Sequence, residues 1–146
     1  MDILQSNSQI SNQELAERVA LSPSPCLRRV KLLEENGYIN KQVVLLNPEK
    51  VGLELTVMVL VGLNSHQPAV MSEFEETMRL LPEVIQCYLI TGQSADYLLK
   101  VIVPNLKTYQ SFLLGKLTCL NGVDSVHSSF ILRNICDTTV LPLNHL

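Results

Sequence analysis

The spacing of apolar residues changes character near residue 50. Before it, they recur at helical intervals. Ile3 and Leu4 belong to a short first helix. Ser11-Asn12-Gln13-Glu14 is an S-x-x-E capping box, in which the serine and the glutamate each satisfy an orphan amide. It opens a second helix whose stripe is Leu15, Ala16 and Val19. Ala20-Leu21-Ser22 is a short turn. A third helix then begins inside LSPSPCLRRVKLLEENGYI, residues 21–39. Ser22 is its predicted N-cap, and Pro23 takes the first helical position, where a missing N–H costs nothing. Pro25 still falls within the tolerant first turn. Leu27, Val30 and Leu33, with Cys26 beside them, form the predicted buried stripe. Asn36-Gly37 ends the helix, glycine supplying the left-handed cap. Tyr38-Ile39 and Lys41 to Leu46 read as two short strands, a wing beside the helices. Asn47-Pro48-Glu49-Lys50 is a turn and the expected boundary.

From Leu53 the intervals alternate between those of strands and helices. Leu55 to Leu63 is an apolar strand. Val70 to Leu81 is an amphipathic helix stopped by Pro82. Val84 to Thr91 is a strand, Gly92-Gln93-Ser94 a turn and Asp96 to Val103 another strand. Leu106 to Leu120 is a second helix ended by Asn121-Gly122, and the last strand lies within Val123 to Val140. The order βαββαβ predicts a ferredoxin-like antiparallel sheet with helices on one face. The fold class is therefore α+β: a winged helix-turn-helix over residues 1–46, a linker at 47–52 and a ferredoxin-like βαββαβ domain over 53–146. Strands this apolar leave the open face of the sheet in need of cover, which predicts a dimer.

Charge refines this picture. The 146 residues carry a net charge of -3. Acidic and basic residues balance over residues 1–50, so the whole deficit lies in 51–146. A neutral first part with clustered basic residues suits local contact with DNA, and an acidic second part does not. No apolar run reaches the roughly 18 residues that cross a bilayer. The opening MDILQSNSQ has neither a basic nor an apolar signal region, so a cytoplasmic protein is expected. The four cysteines, Cys26, Cys87, Cys119 and Cys136, form no C-x-x-C pair and no zinc-spaced cluster with histidine. Each sits in an apolar pattern and is expected to be a small buried hydrophobe, neither disulfide-bonded nor a metal ligand.

Two stretches carry candidate chemistry. A recognition helix presents its first turns to base edges in the major groove of double-stranded DNA. On the third helix, Ser24 suits a base edge or phosphate and Pro25 a thymine methyl. Arg28, one turn on, suits guanine or the backbone. Arg29 and Lys31 suit phosphate, as do Ser22 and the free amides of the first turn. The bland alternative is a capped helix with a solvated basic face. The second stretch is the turn from Gly92 to Tyr97. Gly92 tolerates positive φ and close approach of a ligand. Asp96 suits an ammonium group, and Tyr97 suits a pocket wall. Here the alternative is a solvent-facing hairpin with a satisfied aspartate. No nucleophile elbow, phosphate-binding glycine loop or carboxylate pair is present, so neither an enzyme nor a cofactor is expected.

Four stretches together resemble the Lrp/AsnC (feast/famine) family of prokaryotic transcription regulators: ISNQELAERVALSPSPCLRRVKLLEENGYI, GLEL, ITGQSADYLLKV and GVDSVHSSFIL. The match spans nearly the whole chain and is most specific in S-P-S-P-C-L-R-R. The resemblance implies a DNA-binding winged helix-turn-helix, an effector-binding βαββαβ module, homodimers that often build octameric discs, and effectors that are amino acids or related small molecules. It places an effector cleft around the turn carrying Gly92, Asp96 and Tyr97, at a contact between dimers. Thr91, Gln93, Ser128 and Ser129 join this effector set from the turn and its neighbouring strands. Two departures stand out. The first helix lacks a turn that members carry before the residues matching Ile3 and Leu4, as an internal or trimmed start would leave it. Gln93 also stands where members often have an acid, so effector preference does not carry over. The competing readings are a ligand-binding or oligomerisation module with a degenerate DNA-binding half, and a small ferredoxin-like enzyme.

Overall fold

The computed structural model describes residues 1–92 and 94–145. It divides the chain into two compact units. One comprises Met1–Leu45 together with the chain from Ile135 onward, and the other is Leu46–Asn134. The tail beyond Ile135 thus packs with the helical unit.

In that unit α1 (Asp2–Ser6), α2 (Asn12–Arg18) and α3 (Pro23–Glu35) surround a small core. Leu15, Ala16 and Cys26 are buried, with Ile3, Leu4, Ile10, Leu21 and Val30 packed against them. Ser11 Oγ accepts the Glu14 amide at 3.2 Å, one half of the predicted capping box. The Glu14 carboxylate turns instead to Arg18 at 2.6 Å. α2 ends in a six-residue reversal closed by the Leu21 amide on the Ala16 carbonyl at 2.9 Å. This forces Ala20 to a φ of 53°, a conformation that costs an L-residue about 1–2 kcal/mol. Ala20→Gly removes that strain at the expense of a more flexible unfolded chain. It should stabilise this unit by about 0.5–1 kcal/mol net, read as a higher urea midpoint at unchanged slope.

Of the stripe expected on α3, Cys26 is buried and Val30 and Leu33 are half-buried, while Leu27 is 45% exposed, which corrects its placement. Ser22 is the N-cap residue as expected, though its side chain makes no cap hydrogen bond. The expected wing is also corrected. No strand forms over residues 38–46. The amides of Tyr38 and Ile39 both bond the Leu33 carbonyl and close the helix. Only Asn40 then separates the two expected arms, fewer than the two residues a tight hairpin needs.

The second unit opens with a single 3-10 turn at Glu49–Val51. β1 (Leu55–Leu63), α4 (Pro68–Leu80), β2 (Val84–Leu89), β3 (Tyr97–Val103), α5 (Leu106–Phe112) and β4 (Val123–Phe130) follow. α5 continues as a π-helical turn, Leu113–Leu117. The sheet is antiparallel in the order β2-β3-β1-β4, as the βαββαβ pattern predicts. Strand period sorts its side chains by face. Val57, Val59 and Val61 of β1 and Tyr97, Leu99, Val101 and Val103 of β3 are buried against Phe74 and Met78 of α4, Tyr109 and Phe112 of α5 and Leu117 of the π-helical turn. Met58, Leu60, Leu98 and Ile102 point the other way and are only half-buried. Of the cysteines, Cys26 alone is buried. Cys87, on an edge strand, Cys119, just beyond the π-helical turn, and Cys136, in the tail, are exposed. An apolar neighbourhood in sequence buries a side chain only where another element covers that position.

Candidate functional site

The DNA-facing candidates all lie on one exposed end of α3. Asn12 Nδ2 donates to the Pro23 carbonyl at 2.9 Å and sets the first turn of α3 against α2. Ser24, Arg28 and Lys31 stand at i, i+4 and i+7, so they share one stripe. The buried Cys26 and the half-buried Val30 and Leu33 occupy the opposite stripe. Pro25 and Arg29 flank the exposed one, and Ser22 caps its start. All six are exposed. Among the described residues no carboxylate pairs with Arg28, Arg29 or Lys31. The first turn of α3 contains no acid. Up to Lys31 the amides and the cations of this helix therefore present one sign of charge outward, which suits a phosphate backbone, and the exposed acids Glu34 and Glu35 come only in its last turn.

The effector candidates do not all converge. Asp96 is the knot of its turn. Its amide donates to the Val61 carbonyl at 2.9 Å, and its own carbonyl accepts from the Ile90 amide at 2.8 Å. Its Oδ2 accepts the Leu63 amide at 2.7 Å, and His66 Nε2 lies 2.7 Å from its Oδ1. The Leu63 amide, first, and His66 hold this carboxyl below the usual aspartate range, against the opposing pull of partial burial. Gly92 has a φ of 89° and open space where a side chain would begin. Thr91 and Gly92 are exposed, at the start of the turn that leads to Asp96. Gln93 lies outside the described residues.

Tyr97, Ser128 and Ser129 sit elsewhere. Tyr97 is buried on the helix-facing side of β3, its ring 4.7 Å from Phe74 and its hydroxyl donating to Glu75 Oε1 at 3.0 Å. Burial, reinforced by Glu75, pushes its phenol well above the ordinary range. It walls a groove of about 500 Å³ between α4 and β2, lined also by Glu75, Met78, Arg79, Cys87 and Leu89, and not the turn. The strand period explains the correction: the side chain after Asp96 must point to the opposite face. Ser128 is likewise on the helix side, 2.5 Å from the Tyr109 hydroxyl. Ser129 opposes Met58 at mid-strand, about four residues along β1 from the turn.

Ser125 of β4 opposes Gly62. A side chain on Gly62 would begin 2.5 Å from Ser125 Oγ and 3.5 Å from the Ser94 carbonyl. The turn folds over this glycine, and a glycine inside an apolar strand is the sequence signal for such an approach. His66 carries no comparable signal, because 30 residues separate it from Asp96. Among the described residues no group of three histidine, cysteine, aspartate or glutamate side chains is placed to hold a metal ion. No described helix is long and apolar enough to cross a membrane.

Comparison with known proteins places both regions. Residues 1–40 match a winged helix-turn-helix DNA-binding domain, and residues 56–141 match the Lrp/AsnC ligand binding domain. The chain is 39% identical over 132 residues to the leucine-responsive regulatory proteins of Klebsiella pneumoniae and Escherichia coli K12, a span of 90% of this chain and 80% of each relative. A transcriptional regulator from Neisseria meningitidis, solved in complex with L-methionine, is similar with a TM-score of 0.94 at 42% identity, over 99% of this chain and 92% of that one. An AsnC family transcriptional regulator from Agrobacterium tumefaciens is similar with a TM-score of 0.92 at 37% identity, over 99% and 93%.

Proposed function

The chain belongs to the Lrp/AsnC family of DNA-binding transcription regulators, and from that premise we propose that it reads a DNA operator through α3 and answers to an amino acid held at the Asp96 turn. The observation that carries the DNA half is the exposed stripe of Ser24, Arg28 and Lys31, flanked by Pro25 and Arg29, without an acid in its first turn. Arg28 and Ser24 face bases. Arg29, Lys31 and Ser22 face phosphate. The division into a DNA-binding part at residues 1–46, a linker at 47–52 and an effector-binding part from residue 53 belongs to the same proposal, as does a cytoplasmic location beside the chromosome.

For the effector half, an ionised Asp96 on the same turn as the open backbone of Gly92 supports an ammonium-bearing ligand. Thr91 and Gln93 flank the same glycine in sequence. The proposal makes no use of Tyr97 and Ser128, whose hydroxyls are engaged within the fold, nor of the distant Ser129. L-Methionine and L-leucine are the first candidates, from the methionine complex of the Neisseria regulator and the naming of the leucine-responsive relatives. The half-buried Met58, Leu60, Leu98 and Ile102 form the face on which a second copy packs. An effector acts here only through different affinity for two assembly or DNA-binding states.

The test is an electrophoretic mobility shift of the region upstream of the protein's own gene, with each of the twenty amino acids added in turn. One amino acid, or a few of similar side chain, should move the half-saturating protein concentration by about tenfold. Indifference to all twenty contradicts the effector half.

A further inference from the structure

The carboxylate at the effector turn already has an occupant, and that occupant is a side chain of this chain. The two oxygens of Asp96 are held differently. Oδ2 is fixed by a backbone amide, that of Leu63 at 2.7 Å, and cannot be released without distorting the end of β1. Oδ1 is met by the ring of His66 at 2.7 Å. The carboxylate is held ionised and can only accept, so His66 Nε2 is the donor. The His66 side chain is 70% exposed, whereas that of Asp96 is 21% exposed. The loop that carries His66 is pinned independently of the ring, by the Asn64 amide on the Gly122 carbonyl at 2.8 Å and the Gln67 amide on Ser65 Oγ at 3.3 Å. The ring can therefore swing into solvent while the loop and the turn stay in place. What it leaves behind is an ionised oxygen, backed by a fixed amide, on the turn that also carries the open backbone of Gly92.

We infer that His66 is a gate: its ring N–H occupies, in the free protein, the position on Asp96 Oδ1 that the ammonium group of the effector takes, and binding displaces it. The inference rests on the effector reading of the Asp96 turn and adds to it a residue and a sign. A nitrogen donor on a carboxylate at 2.7 Å has the geometry of a charge-assisted hydrogen bond, the same bond an α-ammonium makes. One partly buried oxygen flanked by the Leu63 amide has little room for both donors. The apparent affinity of the site is then its intrinsic affinity multiplied by the fraction of molecules with the ring swung out. An ordinary contact residue lowers affinity when deleted, and a competing one raises it.

The experiment is isothermal titration of L-methionine into the full chain, as wild type, His66→Ala, His66→Gln and Asp96→Asn, with N-acetyl-L-methionine as the ligand that lacks the ammonium. His66→Ala should bind L-methionine about three- to fivefold more tightly than wild type, the range expected when an exposed charge-assisted contact no longer competes. His66→Gln, which keeps a neutral donor, should fall between them. Asp96→Asn should bind at least about tenfold more weakly, and N-acetyl-L-methionine should gain nothing from His66→Ala. If Asp96→Asn weakens binding while His66→Ala leaves it unchanged or also weakens it, the gate is overturned and the effector site stands. If Asp96→Asn binds L-methionine like wild type, the effector reading of this turn fails and the gate with it.

Discussion

Replacing Arg28 and Arg29 together by alanine will lower the affinity of the chain for the duplex upstream of its own gene by about a hundredfold, without loss of helical content. The two side chains act differently. Arg28 shares the exposed stripe of α3 with Ser24 and Lys31, where a bidentate contact to guanine is worth about 1–3 kcal/mol and is lost at one base step only. Arg29 stands on the flank, where a phosphate contact contributes to every sequence alike and adds about one to the slope of log affinity against log salt. Arg29→Ala alone should therefore weaken native and scrambled duplexes equally and flatten the salt dependence. Arg28→Ala alone should narrow the gap between the two duplexes. Neither side chain belongs to the core of Leu15, Ala16 and Cys26, so circular dichroism should not change. Unaltered DNA affinity in the double variant would mean that another surface reads the operator.

Leu99→Ala will cost the second unit about 3–4 kcal/mol, enough to unfold a marginal domain at growth temperature. Leu99 is fully buried at the middle of β3, opposite Val59 of β1 and Cys87 of β2. Its neighbours Val57, Val59, Val61 and Val101 are β-branched residues on paired strands, which cannot lean in to fill the void. Urea unfolding followed by circular dichroism should show the midpoint fall at nearly unchanged slope. The adjacent Leu98 supplies the contrast, because it points to the other face. Leu98→Ala should leave the stability of a monomer nearly intact and shift sedimentation from dimer toward monomer. A large loss of stability at constant assembly for Leu98→Ala would argue against a second copy on that face.

Much of the fold was legible because period and punctuation agree. Leu55 to Leu63 reads as an apolar strand and is one, α3 ends just before Gly37, and new strands follow Pro82 and Gly122, as glycine and proline at those places require. The βαββαβ order then leaves little choice of sheet topology. The illegible parts depend on partners distant in sequence. The wing residues have strand propensity but no room to pair with each other. Cys87 has apolar neighbours in sequence but no strand beyond it on its edge. The candidate face of α3 was legible as an exposed basic stripe, since its residues are spaced on one helix. The candidate turn was legible only at Gly92 and Asp96. Tyr97 adjoins Asp96 in sequence yet points into the core. His66 and Gly62 reach the turn from β1 and the loop after it, and Ser125 from β4.

The central claim is that the chain binds a particular DNA sequence. Its most direct test is fluorescence anisotropy of the wild-type protein on the duplex upstream of its own gene, beside a scrambled duplex of equal composition, at two salt concentrations. The native duplex should bind at least about tenfold more tightly than the scrambled one, and both should weaken as salt rises and counterions cease to favour release. Equal affinity for the two duplexes, or no binding to either by a folded protein, would contradict it.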